Sequence, residues 1–303
     1  MARLAFLGSP PAAVVALEAL VGAGHDVVLV VSRADARRGR GGARTPSPVK
    51  RAAVELGLDV TDDLAAVTGA GAELGVVVAY GRIVPRPVLD ALDMVNVHFS
   101  LLPRWRGAAP VERAVLAGDD ETGVCLMRLE EGLDTGPVLA SSRVAVGEHE
   151  HAGALTARLA ALGAGLLVDA LRHGAGAVGP GTPQQGEPTY AAKLEPGELR
   201  LDWRRPAVEL ERVVRLDRAW TTYDGDRLLV LEARARPAPA GVPAGGGAAP
   251  PGTLRGTGVV TGDGVLELLE VQPAGRRPTP APAWARGVRA AEGARLGEPD
   301  GDR

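Results

Sequence analysis

The chain is nearly free of cysteine. Cys125 is the only one in 303 residues, so no intramolecular disulfide can form and a reducing compartment is expected. Its neighbours Val124, Leu126 and Met127 are apolar and no base lies near it in sequence, which marks a buried, inert thiol. Lysine is almost missing as well, present only as Lys50 and Lys193. The accompanying wealth of arginine, alanine, glycine and proline fits genomic base composition, so arginine in place of lysine carries no functional meaning by itself. No basic-then-apolar leader precedes the first strand, and no apolar run approaches the roughly 20 residues of a membrane span. A cytoplasmic protein without a membrane partner is expected. The formal net charge of −3 excludes a globally basic surface and leaves only local charge to consider. Gly8-Ser9-Pro10, after the first strand, is no G-x-G-x-x-G, which argues against a dinucleotide site. No internal repeat is present.

What the chain does have is apolar residues, at 46%, enough for a real core, and a length that allows two domains. Arg3–Leu7, Asp26–Ser32, Gly75–Ala79, Met94–His98 and Gly123–Leu129 read as strands. Helical patterns over Ala12–Ala23, Pro48–Leu56 and Ala109–Ala117 alternate with them, and Leu155–Leu171 forms a last long helix. This alternation predicts a doubly wound, Rossmann-like α/β domain, in which ligands bind beyond the carboxyl ends of the strands. Residues 174–188 are dense in Gly, Pro and Gln and mark a boundary. The expected organisation is a catalytic domain over 1–188, a linker over 189–206, and a smaller β-barrel, OB-like, over 207–303. The barrel is read from a helix over Ala207–Leu216 and β runs over Arg227–Ala235, Gly252–Thr261 and Val265–Gln272.

Two polar segments interrupt the apolar pattern. Asn96-Val97-His98-Phe99-Ser100 places an amide, an imidazole and a hydroxyl on alternate residues, on one side of a strand end, with Phe99 turned the other way into packing. Gly132-Leu133-Asp134-Thr135-Gly136 returns a carboxylate some thirty residues later. An amide and an imidazole aimed at one carbonyl oxygen stabilise the oxyanion of a tetrahedral intermediate. A carboxylate beside the ring fixes its tautomer and helps it pass a proton. Taken alone, Asn-x-His is more often a structural hydrogen-bonding pair, and Asp before Thr-Gly a turn former. Glu148-His149-Glu150-His151 reads as a solvated helix entry, and no metal site is expected.

The longer pattern is specific. Asn96-Val97-His98-Phe99-Ser100-Leu101-Leu102-Pro103, with Arg106-Gly107-Ala108, Pro110 and Gly132 to Gly136, resembles the 10-formyltetrahydrofolate-dependent formyltransferases. Gly39-Arg40-Gly41, Pro46-Ser47-Pro48-Val49-Lys50, Val76 to Gly81, Thr189-Tyr190-Ala191, Asp202-Trp203 and Val271 to Arg276 are similar to the branch that formylates methionyl-tRNA. The resemblance runs to about Arg277. It implies Asn96, His98 and Asp134 as the catalytic trio, and Ser100, Leu101, Leu102 and Pro103, with the turn Tyr80, Gly81 and Arg82, around the folate donor. It implies methionyl-tRNA as acceptor, held by an arginine loop that includes Arg37, Arg38, Arg40, Arg44 and Lys50, with Arg40 foremost, and by a second basic surface around Arg276 and Arg277. Arg212, Arg215, Arg218, Arg286 and Arg289 are further candidates there. A monomer is expected. The alternatives are a formyltransferase acting on a small amine such as a sugar nucleotide, a hydrolase of 10-formyltetrahydrofolate, and a catalytically idle RNA-binding module.

Overall fold

The computed structural model describes residues 1–37, 44–237, 249–289 and 293–297. They fall into two compact units, Met1–Arg113 with Asp120–Val146 and Ala154–Lys193, and Ala114–Asp119 with Gly147–Gly153 and Leu194–Arg303.

The first unit is a seven-stranded sheet: β1 (Arg3–Gly8), β2 (Asp26–Val31), β3 (Val60–Thr61), β4 (Leu74–Val78), β5 (Met94–His98), β6 (Glu121–Arg128) and β7 (Val138–Ala145), in the order β7-β6-β5-β4-β1-β2-β3. The first five run parallel; β6 is antiparallel to β5, and β7 to β6. Strands β4 and β5 are buried along their whole length, which is why they are continuous apolar runs. Strand β7 has no such signature, because it lies at the sheet edge and its residues are half-exposed.

Helices α1 (Pro11–Gly22), α2 (Pro48–Glu55), α3 (Arg86–Ala91), α4 (Pro110–Ala117) and α5 (Ala152–Leu171) complete this layer, the second half of α4 and the first two residues of α5 counting with the second unit. Ser47 caps α2 by accepting from Lys50 N at 2.9 Å, ahead of Pro48 at the first helical position. The expectation that no apolar run reaches membrane-spanning length is corrected by α5, whose 20 residues are long and apolar enough. Its apolar residues nevertheless form a stripe, and Leu155, Leu159, Ala160, Ala164, Leu167 and Leu171 are buried while Arg158 and Asp169 stay exposed. Gly163 sets its closeness to the sheet: a Cβ there would lie 2.5 Å from Val97 and 3.1 Å from Val124. Phe99 lies on this same helix-facing side, as its alternation with His98 requires.

The second unit holds α6 (Ala207–Val214), β8 (Trp220–Tyr223), β9 (Asp226–Arg236), β10 (Leu254–Arg255), β11 (Gly258–Val260), β12 (Val265–Pro273), β13 (Thr279–Pro280) and α7 (Ala281–Gly287). The antiparallel order is β8-β9-β12-β11-β10, with β13 also on β12. Residues 293–297 join the two edges. Gly297 N donates to Thr222 O at 2.9 Å on one side, and Leu296 N to Gly252 O at 2.8 Å on the other. The sheet thereby closes on itself and has no open edge there. Trp203, within the stretch expected as linker, is buried in this unit's core with Leu210, Val230, Leu268 and Trp284, its indole N–H donating to Thr221 Oγ1 at 3.0 Å.

The Glu148–His151 segment has a structural role in the same unit. His149 Nδ1 meets Glu211 Oε1 at 2.7 Å, His151 Nδ1 meets Asp217 Oδ1 at 2.6 Å, and Arg215 donates to the Glu150 and Gly147 carbonyls.

Cys125 lies in β6 and is buried, and burial pushes its thiol up, against a weaker opposing hydrogen bond from the Leu102 backbone. The thiol therefore stays protonated at pH 8. Iodoacetamide should alkylate the folded protein at least about tenfold more slowly than the urea-unfolded chain; equal rates would contradict this placement.

Candidate active site

Strand β5 delivers the first polar groups. In register, Asn96 faces Met127 and His98 faces Cys125, and period-two alternation puts both side chains on the face opposite Val97. They are 8% and 5% exposed, deep for polar residues, so each needs a partner. Asp134, from the turn between β6 and β7, supplies it. Its Oδ1 lies 3.5 Å from Asn96 Nδ2 and its Oδ2 3.7 Å from His98 Nδ1. Both contacts are long, so the three polar ends converge without closing on one another.

The other ring nitrogen is firmly engaged. His98 Nε2 donates to the Trp105 carbonyl at 2.9 Å, and a carbonyl only accepts, so Nε2 carries the proton of the neutral ring. Nδ1 is then the free acceptor, beside Asp134. Neutral His98 therefore has no second N–H to offer an oxyanion, and Asn96 is the donor the trio has ready.

Ser100 does not join them. Its hydroxyl, fully buried, donates to the Arg104 carbonyl and ties the following turn together.

The loops carrying these groups are held in costly conformations. Ala79 (φ 45°), Trp105 (φ 62°) and Asp134 (φ 50°) are left-handed without being glycine. Such residues persist when neighbours over-determine them. Trp105 N donates to Thr189 Oγ1 at 2.9 Å while its carbonyl receives His98. Asp134 Oδ2 accepts from Gly107 N at 2.8 Å. Gly107 itself is at φ 119°, where a Cβ would meet the Ala191 carbonyl at 2.9 Å as Arg106–Gly107 pairs with Tyr190–Ala191. Residues 182–191, in the stretch rich in turn formers, thus brace the site. Within it Gln184, which sequence reading passed over, bonds both Arg106 and the Asp134 turn.

The residues expected around the folate divide. Tyr80 is packed in the core with Leu7, Val31 and Val84, and burial raises its hydroxyl against the opposing Arg82 charge. Leu101 packs over Gly123, where a Cβ would lie 2.5 Å from its side chain. Gly81 and Arg82 are exposed, and Leu102 and Pro103, joined by a cis peptide, are half-exposed.

Of the residues expected on tRNA, Arg38 and Arg40 lie outside the described residues. Arg37 and Arg44 are exposed and face each other across a two-residue antiparallel pairing, Ala36–Arg37 with Arg44–Thr45. Buried Ser9, Ser32 and Ser47 hydroxyls, in contact with one another, anchor the base of this segment. Lys50 is already paired with Asp35 at 2.8 Å and is an anchor rather than a free cation. In the second unit Arg276 and Arg277 are exposed on the turn after β12, as are Arg286 and Arg289 after it. Arg215 is buried, and loss of hydration lowers its affinity for the proton.

The fold, with Asn96, His98 and Asp134 brought together at one strand end, is that of the formyl transferases. The family model described as formyl transferase matches residues 2–171, and that of the formyl transferase C-terminal domain matches 193–289. The methionyl-tRNA formyltransferase of Dinoroseobacter shibae is 45% identical over 300 residues, covering 94% of this chain and 97% of that protein. That of Paenarthrobacter aurescens is 44% identical over 304 residues, again 94% and 97%. The chain belongs to the methionyl-tRNA formyltransferase family. Among solved structures, an N-formyltransferase from Helicobacter canadensis, in complex with folinic acid and dTDP-3-aminofucose, shares the fold at a TM-score of 0.64 and 15% identity, covering 90% of this chain and all of that one.

Replacing Asn96 with Ala should lower kcat by about 10²–10³, the usual loss for one oxyanion donor, with folding intact by circular dichroism. Near-normal turnover would remove Asn96 from the trio.

Proposed function

We propose that the chain transfers the formyl group of 10-formyltetrahydrofolate to the α-amino group of methionyl-tRNA, giving formylmethionyl-tRNA for translation initiation, and does so as a cytoplasmic monomer. The observation that carries this reading is the convergence of Asn96 Nδ2, His98 Nδ1 and the Asp134 carboxylate at the carboxyl end of β5. It stands beside 40–45% identity, over nearly the whole length, to methionyl-tRNA formyltransferases.

The chemistry follows from the protonation pattern. The amine nitrogen attacks the formyl carbon; the new C–N bond pushes the carbonyl pair onto oxygen, where the Asn96 amide donates to it. The amine proton passes to His98 Nδ1, and Asp134 stabilises the resulting imidazolium. That proton then goes to the folate nitrogen as its bond to the formyl carbon breaks and the carbonyl re-forms. Each atom is accounted for without a covalent enzyme intermediate.

Gly81, Arg82, Leu102 and Pro103 are proposed to face the folate with their accessible atoms. Tyr80 and Ser100 have their side chains turned into the fold and offer it backbone only, while Leu101 is half-exposed like Leu102 and Pro103. For the tRNA, Arg37 and Arg44, exposed and opposite each other in register, are proposed to contact phosphate. Arg38 and Arg40, in the same loop, and Arg276 and Arg277, on the second unit, are proposed to add to phosphate binding.

The test is formyl transfer from 10-formyltetrahydrofolate to methionyl-tRNA, run beside free methionine, a sugar amine and no acceptor. Formylation of methionyl-tRNA alone is the expected result. Formate release without acceptor, or preference for the sugar amine, would overturn it.

A further inference from the structure

We propose that Gln184 is a positioning residue for the reaction, locking the Asp134 turn so that its carboxylate stays between Asn96 and His98. The inference rests on the reading of Asp134 as part of the trio. Gln184 Nε2 donates to two main-chain carbonyls, those of Asp134 and Gly136, each at 2.8 Å. Its Oε1 accepts from Arg106 Nε at 3.1 Å and Nη2 at 2.7 Å. A guanidinium only donates, so Arg106 dictates which end of the amide faces which way: oxygen to Arg106, nitrogen to the turn.

The geometry explains why a turn 50 residues away needs this side chain. Asp134 sits at φ 50°, a conformation an aspartate tolerates but does not choose alone. The Gln184 amide bridges the carbonyl of that residue and the one two positions on, which holds the left-handed step in place. From the other side Gly107 N–H grips Asp134 Oδ2, and Gly107 is the residue after Arg106. Backbone and carboxylate of Asp134 are thereby tied to one dipeptide, directly through Gly107 and indirectly through Gln184 on Arg106. Glutamine is the right residue because the task needs one acceptor and a two-proton donor at opposite corners of a planar group.

The substitution Gln184→Glu tests this. It keeps the size and the partner for Arg106 but turns an oxygen towards two carbonyls. The expected result is a kcat lowered about 10–100-fold, since small misplacements of a reacting constellation cost that much, with KM for both substrates within about threefold. Activity of the Glu variant should recover towards acid pH, where a protonated carboxyl regains a donor. Gln184→Met, of similar length and with no donor, should show the same loss without the recovery, and serves if the Glu variant does not fold. In an Asp134→Asn background each substitution should change kcat less than about threefold, because its target is already removed. Full multiplicative losses in that background, a loss confined to KM, or identical pH profiles for the Glu and Met variants would overturn the proposal. Near-normal activity of Asp134→Asn alone would instead overturn the reading of Asp134, and absence of formyl transfer by the unaltered chain would overturn the function.

Discussion

The hydrogen bond from His98 Nε2 to the Trp105 carbonyl, 2.9 Å long, constrains everything else at the centre. It decides which nitrogen is protonated in the neutral ring and leaves Nδ1 as an acceptor. Asp134 lies on the Nδ1 side, so in the proposed transfer the charge on the ring would appear next to a carboxylate. Had the carbonyl pointed elsewhere, the same three residues would hold the proton on the wrong side. The residue supplying that carbonyl is a left-handed tryptophan, and its own N–H is held by Thr189. One exceptional backbone conformation thus sets the chemical polarity of the site.

This arrangement needs a rigid support, and the sheet provides it. Asn96 and His98 stand on a central strand that is wholly buried, with α5 pressed onto its other face through Gly163. The turns of Ala79, Trp105 and Asp134 are less regular, and each left-handed residue costs on the order of 1–3 kcal/mol in isolation. Main-chain and side-chain hydrogen bonds from residues 182–191 offset that cost for Trp105 and Asp134. The second unit shows a parallel solution in its own fold, where residues 293–297 close the sheet by bonding both edges.

Local pattern made the strand that carries Asn96 and His98 legible in the sequence. A buried parallel strand is a run of valines, polar residues at its end are conspicuous, and alternate spacing fixes which of them share a face. The Asp134 turn was legible for a similar reason, since Gly132 and Gly136 bracket it. What sequence could not show depends on backbone direction. Ser100 has the right parity for the trio, yet its hydroxyl turns back to Arg104, because the strand ends at His98. Lys50 looks like part of a basic loop until Asp35 is seen to neutralise it. Gln184 lies among turn formers, where only its long-range partners distinguish it. The apolar periodicity of α5 was legible, but length and composition alone do not separate a core helix from a spanning one. The closing segment 293–297 offers little beyond Leu296, since its bonds are main-chain ones.

The most direct test is nitrogen NMR of the His98 side chain in ¹⁵N-histidine-labelled protein, assigned by comparison with His98→Gln and followed across pH. In the neutral ring the proton is expected on Nε2, with Nδ1 unprotonated. A neutral ring protonated at Nδ1 would contradict this.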